Sequence, residues 1–161
     1  MEIKIEKVSY QNKKNSRILE AVLTNWFRNP KELNLVDPTL SYPFRYNKWV
    51  ALNYLNPEIH TIVIKLDQWI VGIGSMYKVP NTKTVDIFHV YIDAEHRRQK
   101  LGKKILYYFE SLSLKENVEL ITIRIMLKNI AAKALLNSEG YIQKEKQNRK
   151  ISIFQKKLYK N

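Results

Sequence analysis

The chain is predicted to fold as one α/β domain on a mixed sheet, and three observations carry that expectation. Its 161 residues suffice for one compact core and are too few for two. Seven segments are patterned as strands and four as helices. The two kinds interleave in the order β, α, α, β, β, β, α, β, α, β, β, which sets helices against a sheet instead of in a separate layer.

"MEIKIEKVSY" alternates with period two, Ile3, Ile5 and Val8 falling mostly on one side, and reads as a strand. Ser16 is placed to cap a helix whose apolar stripe is Ile18, Leu19, Val22, Leu23, Trp26 and Phe27. The three prolines of "NPKELNLVDPTLSYPFRYN" exclude a long regular element. "RYNKWVALNYL" then makes a short helix, ended by Asn56-Pro57. "IHTIVIKLDQWIVGIGSMY" is a hairpin turning at Asp67-Gln68, and after the turn signal Pro80-Asn81 comes the strand "TVDIFHVYID". Leu101, Ile105, Leu106, Phe109 and Leu112 recur at helical spacing, so this strand runs into a helix through "HRRQKLGKKIL". "VELITIRIML" suits a strand buried on both faces. "NIAAKALLNSEG" is a helix with Asn129 as cap and Gly140 as stop, and strands around "YIQKEKQ" and "RKISIFQKKL" close the chain.

Composition narrows the function. The N-terminus has no continuous apolar core of a signal peptide, and no run approaches the length of a membrane span, so a cytoplasmic protein without a membrane partner is expected. No cysteine is present, which excludes a thiol nucleophile, a cysteine-based zinc site and a disulfide. Three scattered histidines make a metal site improbable. The formal net charge of +13 favours polyanions, whether nucleic acid, anionic lipid or a phosphorylated cofactor.

Five cations (Arg97, Arg98, Lys100, Lys103 and Lys104) surround Gly102 where the fourth-strand pattern enters its helix. A helix start has backbone N–H groups without intrahelical acceptors, and its dipole favours an anion. Cations there oppose the dipole unless an anion compensates. Gly102 would let that anion approach the backbone, and a phosphate or pyrophosphate is the natural guest.

The segment Ile92 to Gly102, "IDAEHRRQKLG", resembles the acyl-CoA loop of the GCN5-related N-acetyltransferases (GNAT), and Asn129, Ala132, Leu135, Leu136, Gly140 and Tyr141 resemble that family's second signature at the expected separation. The resemblance is sharp from about Thr84 to Tyr141 and implies a mostly antiparallel twisted sheet of about seven strands with about four flanking helices. It implies acetyl-CoA, or another acyl-CoA, lying along Val90, Tyr91 and Ile92 as an added strand. Amides of Gln99, Lys100, Leu101, Gly102 and Lys103 would hold the pyrophosphate, helped by Arg97 and Arg98. Asn129, with Ala132 beside it, would meet the pantetheine or the reacting end.

Two departures from the family pattern matter. Lys100 stands where the first loop glycine is expected, and Leu136 where a tyrosine commonly protonates the departing thiolate. For a general base, the strand offers Asp86, at the place of a catalytic glutamate in some members, or His89. Alternatively Asp86 only pairs with a lysine and His89 only packs. Tyr42, Phe44, Tyr46, Trp49 and Tyr54 would either wall an acceptor pocket or fill the core, with Trp49 favoured as core.

The expected activity is acetyl transfer to a primary amine of a small molecule or protein, by a chain that is a monomer or homodimer. Two alternatives stand beside it: a weak or inactive acyl-CoA-binding module, and a basic protein associated with RNA or the ribosome. The basic tail "KEKQNRKISIFQKKLYKN" either protects an edge strand from pairing or docks nucleic acid.

Overall fold

The computed structural model describes residues 2–146 and 148–159. Its strands are β1 (Ile3–Val8), β2 (His60–Leu66), β3 (Trp69–Lys78), β4 (Thr84–Ile92), β5 (Leu120–Met126), β6 (Ile142–Lys146) and β7 (Ile151–Lys157). They form one sheet in the order β1-β2-β3-β4-β5-β7-β6. Every pair is antiparallel except β4 and β5, so the sheet is of the mixed kind the sequence predicts. The helices are α1 (Lys13–Trp26), α2 (Pro30–Val36), α3 (Tyr46–Asn53), α4 (Leu101–Lys115) and α5 (Ile130–Ser138). None of the described helices is long and apolar enough to cross a membrane.

Local chemistry fixes the helix starts. Asn12, not Ser16, caps α1, its side-chain oxygen accepting the Asn15 N–H at 2.9 Å. Ser16 sits in the first turn, with its hydroxyl 2.7 Å from that of Tyr46. The proline-bearing segment contains a short helix that its composition concealed. Asn29 caps α2 by accepting the Lys31 N–H at 3.0 Å, and Pro30 takes the first helical position, where it has no backbone bond to lose.

Two cores lie on the two faces of the sheet. Ile62, Ile64 and Leu66 of β2 enter one with α4 and α5, while Val63 enters the other with α1, α2 and α3. β4 does not keep this alternation. Val85 and Ile87 belong to the α4 core and Tyr91 to the opposite one, so the strand changes parity between them. The change occurs at His89, whose φ of 53° lies in the left-handed region. Opposite it, the β3 register skips from Ile73↔Tyr91 to Ser75↔Phe88, which gives β4 one extra residue, a β-bulge. Phe88 and His89 consequently face the same core.

Close approach of α4 to β3 depends on Gly74. A Cβ there would lie 2.8 Å from Ile105 Cγ2 and 3.2 Å from Phe109 Cε2. β1 and β6 are the sheet edges. Exposed Lys144 on β6 fits edge protection, whereas β7 lies inside the sheet and its Lys156 pairs with Glu110 at 3.3 Å. Gln147, Lys160 and Asn161 of the basic tail lie outside the described residues.

Candidate functional site

The parallel pairing of β4 with β5 runs only from Thr84↔Leu120 to Ile87↔Ile123. β5 continues beside β7 as far as Met126↔Ile151, so the two parallel strands part company just before the bulge. A cavity of about 510 Å³ opens along the free part of β4, lined by Val90, Tyr91 and Ile92 on one side and by Asn129, Ala132 and Leu135 on another. α2 contributes Leu35 and Val36. An extended ligand can use backbone groups there that β5 leaves without a ladder.

At its far end the cavity meets the basic loop. A 3-10 turn, Ala94–His96, leads into Arg97, and both Arg98 (φ 64°) and Lys100 (φ 62°) adopt left-handed conformations. No side chain caps α4, and the first amide to bond back into it is that of Lys104, to the Lys100 carbonyl at 3.2 Å. The amides of Leu101, Gly102 and Lys103 therefore lack intrahelical acceptors and form a cradle for an anion. An open strand edge ending in such a cradle fits a long ligand with a phosphate group, as acyl-CoA is.

Several predicted residues take more specific positions than their sequence suggested. Arg97 is already engaged: its Nε donates to the Ile92 carbonyl at 3.0 Å and its NH2 group to Glu32 at 3.1 Å. Its guanidinium also lies 5.3 Å from the centre of the Tyr91 ring. This clamp ties α2 to the loop and leaves Arg98, Gln99, Lys100 and Lys103 as the exposed groups around the cradle. Lys103 lies 3.8 Å from Glu139. Tyr91 is a core residue whose hydroxyl burial pushes up to about 12, Glu32 adding to the effect and Arg97 opposing it. Gly102 lines the cavity and also packs against α5, where a Cβ would sit 2.9 Å from Leu135 Cδ2. The Asn129 carboxamide oxygen caps α5, accepting the Ala132 N–H at 3.1 Å. Leu136 is buried in the α4 core and supplies no proton.

Asp86 opens onto a second cavity, of about 340 Å³, with Phe88, Asn53, Asn56, Tyr77 and Arg124. The two cavities follow each other along β4, one reaching Phe88 and the other starting at Val90. Burial raises the Asp86 carboxyl above the ordinary aspartate value, and Arg124, 3.6 Å away, opposes but does not cancel that effect. A sequence signal for this cavity existed in Arg124, a lone charge in the apolar run "LITIRIM".

His89 lines neither cavity. Its ring stacks on Trp49 at 4.0 Å, Nε2 lies 2.8 Å from Asp37 Oδ2, and Nδ1 lies 2.7 Å from the Tyr54 hydroxyl. The Tyr54 hydroxyl also meets Ser75 at 2.8 Å, and Ser75 meets Thr61 at 3.0 Å. Burial lowers the His89 value despite Asp37. Burial works to raise Asp37, but its bonds from His89 and Thr39 outweigh this and hold it below the usual range. The consistent proton arrangement is a neutral ring that donates from Nε2 to the Asp37 carboxylate and accepts at Nδ1 from Tyr54. Of the aromatics in the preceding segment, Tyr46, Trp49 and Tyr54 are core, and the Trp49 indole donates to the Tyr10 hydroxyl at 3.0 Å. Tyr42 is half exposed.

Comparison with solved structures finds the same fold end to end. The PaiA N-acetyltransferase of Thermoplasma acidophilum, solved with coenzyme A, superposes with a TM-score of 0.73 at 16% identity, covering 98% of this chain and 100% of that one. The spermidine N-acetyltransferase of Vibrio cholerae, solved with CoA and spermine, gives 0.76 at 9% identity over 96% and 95% of the two chains. The ribosomal-protein-S18-alanine N-acetyltransferase of Escherichia coli gives 0.72 at 13% identity over 99% and 96%. No curated protein matches by sequence. The model of the acetyltransferase (GNAT) family, however, matches residues 20–141 of the 161. With most of the sequence so matched, the chain belongs to the GNAT acetyltransferase family.

Proposed function

We propose that the protein is an N-acetyltransferase that transfers the acetyl group of acetyl-CoA directly to a primary amine of a small molecule or protein, by a sequential mechanism. The observation that carries this reading is the succession of two cavities along β4, one ending in the amide cradle and the other containing Asp86. Acyl-CoA, when bound, supplies an activated thioester. The chain's own groups do the rest. Amides of Leu101, Gly102 and Lys103 bind the pyrophosphate, with Arg98, Lys100 and Lys103 side chains around it. Val90, beside the bulge, offers its N–H to the carbonyl oxygen that gains charge during transfer.

Asp86 receives the amine proton through a bridging water. Its raised value brings it closer to the amine than an ordinary aspartate would be. As the C–N bond forms and the C–S bond breaks, the sulfur departs as a thiolate. A thiol pKa near about 8.5 makes that tolerable without the tyrosine absent at Leu136. The acceptor cavity is small and mostly apolar, with Arg124 at its wall, and the chain's formal net charge is +13. Neutral or acidic amines, or a protein N-terminus, suit it better than a polyamine.

The test is release of CoA thiol from acetyl-CoA, read with a thiol-reactive dye across a panel of such amines. The chain has no cysteine, so it contributes no background. Turnover is expected, with Asp86→Asn lowering kcat/KM about 100-fold and abolishing the acidic limb of its pH profile. An unchanged limb would remove Asp86 as the base. CoA binding without thiol release for any acceptor would favour a cofactor-binding module, the reading that Leu136 motivates.

A further inference from the structure

A further concavity, of about 890 Å³, is distinct from the two cavities along β4 and forms a groove between β1 and α4. One wall is a stripe along α4: Lys100, Lys103, Lys104, Tyr107, Ser111 and Lys115 share one side of the helix at spacings of three and four. The other wall is β1, with Ile3, Ile5 and Lys7, alternate residues of one strand face. No carboxylate lines this groove. Among the described residues, Lys7, Lys100, Lys104 and Lys115 have no ion pair. Tyr107, between the lysines, is 70% exposed.

We infer that this groove binds single-stranded nucleic acid. Four ammonium groups along a helix that rises about 22 Å from Lys100 to Lys115, with Lys7 across the groove on β1, match a chain of phosphates, not one small anion. Lysine, a point charge on a flexible stem, suits a backbone of variable path. The exposed Tyr107 ring between them offers a stacking face. A single strand can use that face because its bases are free, whereas an acidic peptide gains little from it. The proposal concerns a surface separate from the acetyl-transfer cavities, although Lys100 and Lys103 border both.

The test is fluorescence anisotropy of a short, mixed-sequence single-stranded RNA in a salt series, without and with saturating CoA. Poly-glutamate of matched charge serves as competitor. Binding is expected with a slope of log K against log salt of about −3. Lys104→Gln combined with Lys115→Gln should make that slope shallower by about 1.4. Tyr107→Ala should weaken binding about tenfold at fixed salt. All three positions are exposed, so the variants retain the fold, and CoA binding by each confirms it.

With CoA bound, RNA binding should persist with a shallower slope. Four results would each overturn the proposal: no binding at low salt, indifference to the lysine or tyrosine substitutions, complete displacement by CoA, or equally strong displacement by poly-glutamate. The third would mean that the RNA had occupied the cofactor cradle. The fourth would mean that the groove is a docking surface for acidic proteins.

Discussion

Lys100 shows how one residue can serve chemistry at the expense of backbone comfort. Its left-handed φ of 62° is natural for glycine, the residue expected at this loop position, and costs a lysine roughly 1–2 kcal/mol. The strained lysine does put an ammonium beside the cradle, where a phosphate would gain from it. Lys100→Gly should therefore separate two properties. Unfolding free energy should rise by about 0.5–1 kcal/mol, since relief of strain exceeds the added entropy of the unfolded chain, while CoA affinity falls severalfold. Calorimetric unfolding and CoA titration of the same variant check both. A variant that loses stability would refute the strain, and one with unchanged affinity would refute the ammonium's role. Arg97 teaches the converse. Its charge was legible in the sequence, but its partner Glu32 lies 65 residues away, so nothing local showed the ion pair.

At the scale of the element, β4 reads in sequence as an uninterrupted strand, and the pattern "TVDIFHVYI" carries no glycine or proline to mark a bulge. The bulge arises from register against β3, and its stability arises from His89, a residue type that tolerates left-handed φ and is locked by Asp37, 52 residues earlier. Neither determinant is local, which is why the strand was legible and its parity change was not. His89 thus holds the backbone between the two cavities. His89→Asn, which also accepts left-handed φ, should cost about 1–3 kcal/mol for the lost buried bonds. His89→Val should cost of order 1–3 kcal/mol more, because a β-branched residue resists that conformation.

The pH dependence has a definite sign. Because the folded ring holds a proton less readily than a free histidine, whose ordinary value is 6.5, the unfolded chain takes up the extra proton as pH falls through that value. Stability from His89 is therefore full above about 6.5 and declines below it. Asp37, held below its ordinary value of 3.8, gives stability that is full above 3.8 and is lost only as pH falls below it, outside this window. Denaturant midpoints at about pH 7.5 and 5.5 should show a smaller decline in His89→Asn than in the native protein. An equal decline would mean that His89 does not carry it.

For the whole molecule, the element order apart from α2, the mixed sheet and the basic helix start could be read from the chain, because periodicity and local charge determine them. The cavity at Asp86 could not. It gathers residues from α3, β3, β4 and β5 together with Asn56 and Ile59 from the connection after α3. The charge of +13 is likewise resolved only by folding, which collects five lysines on the β1/α4 groove and four exposed polar or cationic side chains around the cradle. The central claim, that acyl-CoA lies along β4 with its pyrophosphate on the α4 amides, is tested most directly by thermal unfolding with saturating acetyl-CoA, free CoA or tripolyphosphate. At about 100 times its Kd a ligand adds roughly 2.7 kcal/mol, or several degrees of Tm for a chain of this size. That rise is expected with both CoA species and not with tripolyphosphate; no rise with either CoA species would overturn this placement of the ligand.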